Sequence, residues 1–196
     1  MNYKKYWDNG ISYQEYKQNI INELEGNSDS KYLKYLPLNI QRLNRIEKTV
    51  SLNPELLDAI AGLTPGSHLL VISEGWCGDA AQILPVLNAL AIASEGRISL
   101  RIVYRDQNQE LMNAHLTGTS QSIPVVILLN DNLEFQSWWG PRPKVAQELL
   151  MKLKSDPATA NEYQEPLHNW YHKDKQQAIQ HELQEFLMLD HSVNQG

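Results

Sequence analysis

The stretch Ser73-Glu74-Gly75-Trp76-Cys77-Gly78-Asp79-Ala80 follows a short apolar run, Leu69-Leu70-Val71-Ile72, and opens a helical pattern from Ala80 to Ala93. A buried strand that turns directly into a helix places Cys77 at the helix N-terminus. Unpaired backbone N–H groups and the positive end of the helix dipole gather there, and both favour a thiolate. Cys77 is the only cysteine of the chain, so any thiol chemistry uses its sulfur.

Downstream, a second strand is predicted over 98–104, a short helix over 109–116 and a third strand over 125–129. The polar turn Asn130-Asp131-Asn132 leads into a fourth strand, 133–139, and the Gly140-Pro141-Arg142-Pro143 loop precedes a helix over 143–154. Strand–helix–strand spacing of this length implies a parallel pair with a right-handed crossover. The later pair, joined by a tight turn, reads as an antiparallel hairpin. The simplest closure is an α/β fold with a central mixed sheet and helices on both faces.

Upstream, Asn53-Pro54-Glu55 is a helix start, with N-cap, proline at the first position and an acid in the first turn. That helix ends near Gly62, and Thr64-Pro65-Gly66-Ser67 turns the chain into the strand over 68–73. Ser12 and Glu15 have capping-box spacing ahead of a stripe of Tyr13, Tyr16, Ile20 and Leu24, with Gly26 as the stop and Asn27 to Ser30 as a loop. A second helix is read from about Leu38 to Lys48, facing Leu36, Ile40, Leu43 and Ile46 one way, while 46–52 is open between helix and strand. Tyr3, Tyr6, Trp7, Tyr13 and Tyr16 are expected to pack this segment onto the body rather than to form a ligand stripe. After a linker over 155–167, a last helix over 171–189 carries Ile179, Leu183, Phe186 and Leu187 on one stripe and is expected to dock on the body. The organisation is a helical N-terminal extension over 1–52, a central domain over 53–155, and a linker with C-terminal helix over 156–196.

Net charge is −6, which argues against broad nucleic-acid binding, since that needs a basic face. No apolar run approaches the ~20 residues of a membrane span. The N-terminus lacks the apolar segment of a signal peptide, and one unpaired cysteine suits a reducing compartment; a cytoplasmic protein is expected.

The Trp76-Cys77-Gly78-Asp79-Ala80 turn resembles the active-site turn of the thioredoxin superfamily, usually Trp-Cys-x-x-Cys, with Ala80 in place of the second cysteine. The resemblance covers roughly residues 53–154. Pro85 stands where thioredoxins bend the active-site helix, and Ser122-Ile123-Pro124-Val125-Val126 matches their cis-proline segment facing the active cysteine. Asp106-Gln107-Asn108 and Gly140 fit the family pattern too. Val71 stands where thioredoxins usually keep a buried acid, and Asp79 replaces their motif proline. With its helical extensions and the Trp138-Trp139-Gly140-Pro141-Arg142-Pro143 segment, the chain looks like a bacterial thioredoxin-like family with a single active-site cysteine. The resemblance implies a thioredoxin-like fold, a cis Ile123–Pro124 bond, Cys77 as the reactive group, and a groove formed by Trp76, Gly78, Asp79, Ile123 and Pro124.

Thiol–disulfide exchange begins when a thiolate attacks a disulfide sulfur to form a mixed disulfide. Cys77 can perform that step, but the chain has no second thiol to release the product, which excludes a two-thiol reductase. Three readings follow. Cys77 is a single-thiol exchanger acting on a protein or small-thiol disulfide, resolved by glutathione or another small thiol. Alternatively, the fold is a non-catalytic binding module using the groove beside Cys77 and Pro124. Or Cys77 is simply a small apolar residue at a helix start. Asp79 and Glu74 place negative charge near Cys77 and are expected to raise its pKa against the helix dipole.

The remaining candidates carry less. His168 and His172, four apart, are expected in solvent rather than on a metal, and no cofactor is implied. Asp106 is expected to cap the following helix. Arg142 either binds an anionic substrate group or locks its loop to a carboxylate. Of Trp138 and Trp139, on alternate faces of a strand, one is expected buried and the other exposed.

Overall fold

The computed structural model describes residues 1–26, 30–63 and 65–188. The sequence readings at Asn27 to Asp29, at Thr64 and at Leu189 lie outside the described residues.

Four strands form one sheet: β1 (Ser67–Ser73), β2 (Ile98–Tyr104), β3 (Val125–Leu129) and β4 (Phe135–Trp139), in spatial order β2-β1-β3-β4. β1 is parallel to β2 and antiparallel to β3, and β3–β4 is the antiparallel hairpin. Leu69, Leu70, Val71 and Ile72 of β1 are all fully buried, as a central strand covered on both faces must be. The hairpin turn is built by Asn130, whose Oδ1 accepts from the N–H groups of Asn132 (3.0 Å) and Glu134 (2.9 Å). Leu133 sits in the turn at φ +60°, so β4 begins two residues later than its apolar start suggests. The mixed sheet, flanked by helices and carrying helical extensions, is the thioredoxin-like fold.

Helix α1 (Tyr3–Asp8) and helix α2 (Tyr13–Glu25) precede α3 (Leu36–Thr49), which follows a 3-10 turn over Leu33–Tyr35. The ambiguous segment after Ile46 stays helical to Thr49 and then becomes extended at Val50. The Ser12 capping box is complete: Glu15 N–H donates to Ser12 Oγ (3.2 Å), and Ser12 N–H to Glu15 Oε2 (2.8 Å). Ser12→Ala is expected to cost about 1 kcal/mol in equilibrium urea unfolding, and an unchanged midpoint would refute that role. Tyr6, Tyr13 and Tyr16 are buried, Tyr3 stacks on Phe135 and Trp7 packs on His68, so these aromatics do pack the extension onto the body. Ile11 exchanges two backbone hydrogen bonds with Ile102 (2.9 and 2.8 Å), which covers the free edge of β2.

Helix α4 (Pro54–Gly62) leads to β1, and α5 (Ala80–Ala93) follows the turn; α5 packs on α3 and β2. Helix α6 (Gln109–Asn113) is shorter than its predicted span, and α7 (Lys144–Ser155) follows β4. The single C-terminal helix expected over 171–189 is instead two helices, α8 (Gln164–Asp174) and α9 (Gln177–Met188). Lys175 and Gln176 both adopt left-handed backbone (φ +52° and +64°), and the Asp174 carboxylate accepts from Ala178 N–H to start the new helix. α8 also begins inside the expected linker, with Pro166 in its first turn, where a missing N–H is tolerated. The break sends the two halves to different places: α8 packs on α7 and α9 on α4, α5 and β4. Trp138 and Trp139 are both half-buried rather than one in and one out. His115 meets the ring of Trp138, and Glu182 of α9 accepts from Trp139 Nε1 (2.8 Å). No helix among the described residues is long and apolar enough to cross a membrane.

Candidate functional site

β1 ends at Ser73 and α5 begins at Ala80, so the residues between form a tight turn at the sheet's centre. Tyr16 of α2, 1% exposed, holds its start by donating to Glu74 O (3.0 Å). Asn39 of α3 holds its middle by donating from Nδ2 to Gly75 O (3.0 Å). Cys77 N–H donates to Glu74 O, and Cys77 O accepts from Ala81 N–H as the first rung of α5.

The Ile123–Pro124 bond is cis, and this segment faces the turn. Cys77 Sγ donates to Ile123 O (3.2 Å) and accepts from Ala80 N–H (3.4 Å). The sulfur is thus held as a thiol, with its proton directed at a carbonyl. Cys77 is 6% exposed, and Ala80, where a second thiol would stand, is fully buried. Burial, followed by the Asp79 charge, pushes the Cys77 thiol up to about 12. The Ala80 and Asp79 N–H groups and the Arg142 guanidinium act in the other direction and are outweighed. The expected helix-terminus effect is present but loses to desolvation. The charge that raises the thiol is Asp79's; Glu74 instead accepts from Asp106 N–H (2.9 Å).

Asp79 is itself almost buried. Its Oδ1 accepts from Tyr171 OH (2.7 Å) and its Oδ2 from Arg142 Nη2 (2.7 Å). Arg142, which also donates to Gln147, therefore locks its loop to a carboxylate rather than standing ready for a substrate. Tyr171 belongs to α8, so the C-terminal extension is bonded directly to the Cys77 turn. Asp106 pairs with Arg105 (2.8 Å), and Asn108, not Asp106, is the N-cap of α6.

A cleft of about 690 Å³ opens over this turn. Trp76, Cys77, Gly78, Asp79 and Ile123 line it; Pro124 does not, being buried behind Ile123. Trp76 stacks on Tyr32 (centroids 4.5 Å apart, 16°) with the Arg105 guanidinium 4.9 Å from its ring centre. Gly140, at φ +127°, abuts the Pro124 carbonyl so closely that a Cβ has no room there.

A family model described as thioredoxin matches residues 26–155. The chain belongs to the thioredoxin family. A crystallised protein of unknown function from Pseudomonas aeruginosa has the same fold, with TM-score 0.68 and 16% identity over 98% of this chain and 99% of that one. An HIV epitope-scaffold is similar over 76% of this chain and 82% of its own, with TM-score 0.56 and 18% identity. No curated protein matches the chain in sequence.

Within this thioredoxin-family domain, several cleft residues carry no sequence signal that marks them as functional. Arg42 and Asn39 sit among the apolar positions of α3, and Asn39 is 1% exposed in a helix face that otherwise buries Leu36, Leu43 and Ile46. A polar residue inside an apolar stripe was the one available hint. His168 is half-buried against Gly78 and Gln82 rather than in solvent, and burial pushes its imidazole down to about 4. His172 diverges from it and meets Arg45 through Nδ1 (2.7 Å).

Proposed function

We propose that this thioredoxin-family domain is a binding module whose cleft beside Cys77 holds a ligand without exchanging thiols. The observation that carries this reading is the state of Cys77: buried, hydrogen-bonded to Ile123 O as a donor, and pushed up to about 12. Exchange needs a thiolate within reach of a disulfide. With the thiol raised by burial, the thiolate is far scarcer at pH 7 than the few per cent of a free cysteine near ~8.5. The cleft volume falls within the roughly 300–1,000 Å³ of small-ligand sites. A single unpaired thiol also fits a reducing compartment, so we place the protein in the cytoplasm.

One observation favours a second reading, a single-thiol exchanger resolved by glutathione or another external thiol: the sulfur faces the cis-Pro124 segment across 3.2 Å, in the thioredoxin arrangement.

The two readings separate in one measurement of Cys77 alkylation against pH, followed by turnover of a glutathione mixed disulfide. The binding module labels far more slowly than free cysteine at neutral pH, with a midpoint well above ~8.5 and no turnover. Fast labelling below pH 7 with turnover would establish the exchanger instead.

A further inference from the structure

The chain carries a net charge of −6, yet its cleft gathers Lys34, Arg42, Arg105 and Arg142 against only Asp79 and Glu165. Arg142 is taken up by Asp79 and Arg105 by Asp106. Arg42 and Lys34 make no ion pair among the described residues.

Arg42 is not a loose surface cation. Its Nη1 donates to Asn39 Oδ1 (2.9 Å), and buried Asn39 is in turn anchored to Gly75 O (3.0 Å). Two hydrogen bonds in series thus aim the guanidinium at the Cys77 turn. Across from it stands His168. Gln82, 1% exposed, accepts from Arg45 through Oε1 (3.4 Å), which leaves its amide Nε2 as donor to His168 Nδ1 (3.4 Å). The imidazole therefore carries its proton on Nε2, the ring atom nearest Gly78. A methyl group on Gly78 would lie 2.7 Å from His168 Nε2 and 3.3 Å from Arg42 Nη1. The His168 ring thus packs directly on Gly78 with Arg42 Nη1 beside it, an approach that only a residue without a side chain permits, and both donors line the cleft. A planar guanidinium with a second N–H beside it is matched by an oxyanion.

We infer that Arg42 and His168, side by side in the cleft next to Gly78, form a subsite for one oxyanion group, carboxylate or phosphate, of the ligand that the cleft holds. This rests on the binding-module reading and names the chemistry of its ligand. Asn39 and Gln82 act as positioning residues, fixing the guanidinium and the imidazole tautomer.

The test uses the full chain, labelled for NMR at the Arg42 side chain and the His168 ring. It is titrated at constant ionic strength with inorganic phosphate and, separately, with N-acetylglycine as a carboxylate on one peptide unit. A saturable shift of both signals is expected with at least one probe. The phosphate arm winning points to a phosphorylated small molecule, the N-acetylglycine arm to a peptide C-terminus. Arg42→Gln, which keeps an amide near Asn39, should weaken binding about ten- to a hundredfold. Gly78→Ala should abolish it by pushing the His168 ring, 2.7 Å from the added methyl, out of place. No saturable shift with either probe, or equal affinity in Arg42→Gln, overturns the subsite. Failure here leaves a slow, non-exchanging Cys77 as it is, whereas rapid Cys77 turnover would remove the binding module and leave an observed anion shift standing.

Discussion

Arg142→Ala is expected to destabilise the fold by about 3–5 kcal/mol, because it strands the Asp79 carboxylate in the interior with only Tyr171 OH as partner. The pair is nearly enclosed, with 10% and 12% of the two side chains exposed, so water cannot replace the lost guanidinium. At about 2–4 °C per kcal/mol for a chain of this size, the melting temperature should fall by roughly 10 °C. Equilibrium urea unfolding and a thermal melt would both register this, and a loss below about 1 kcal/mol would place the pair among weak surface bridges instead. Cys77 supplies a second readout. Arg142 lowers the thiol pKa and Asp79 raises it. Arg142→Ala should therefore move the alkylation midpoint still higher, whereas Asp79→Asn should bring it down. Movement of both variants in one direction would contradict the electrostatic account.

Gly140→Ala should be nearly as damaging, for a different reason. Residue 140 has φ +127°, a conformation that costs an L-residue about 1–3 kcal/mol. The added Cβ would also drive into the Pro124 carbonyl, with Val125 Cα at 3.5 Å behind it, so the neighbour that must yield is backbone. A loss of about 3 kcal/mol or more is expected. Because Ile123 O is the acceptor for Cys77 Sγ, a shifted Ile123–Pro124 segment should also speed Cys77 labelling in the variant. A variant as stable as the parent would mean that the loop relaxes freely and that this contact does not hold the segment.

Much of the architecture was legible in the sequence because it rests on local periodicity. The buried run at 69–72, the helix over 80–93, the strands near 98–104 and 125–129 and the capping box at Ser12 each follow from hydrophobic spacing and turn chemistry. The C-terminal break at Lys175 and Gln176 was not legible. Neither is glycine, and the polar run His172 to Gln177 that spans the join reads equally as the solvated face of one continuous helix. Left-handed backbone at two such residues is imposed by where α8 and α9 dock.

The sequence by itself determined the thioredoxin-like order of elements, the position of Cys77 at the start of α5 and the lack of a second thiol. These depend only on residues near one another in the chain or on a count. The tertiary structure alone decided the state of the sulfur and the character of the cleft. Helix-terminus chemistry argues for a thiolate, but Ile123 from 46 residues away takes the thiol's hydrogen bond, and the surrounding core removes its water. Tyr171 and Arg142, 92 and 63 residues distant from Asp79, hold the acid beside it by hydrogen bonds to its two oxygens. Burial and charge pairing sum over neighbours that meet only in the folded chain, and no local pattern carries that sum.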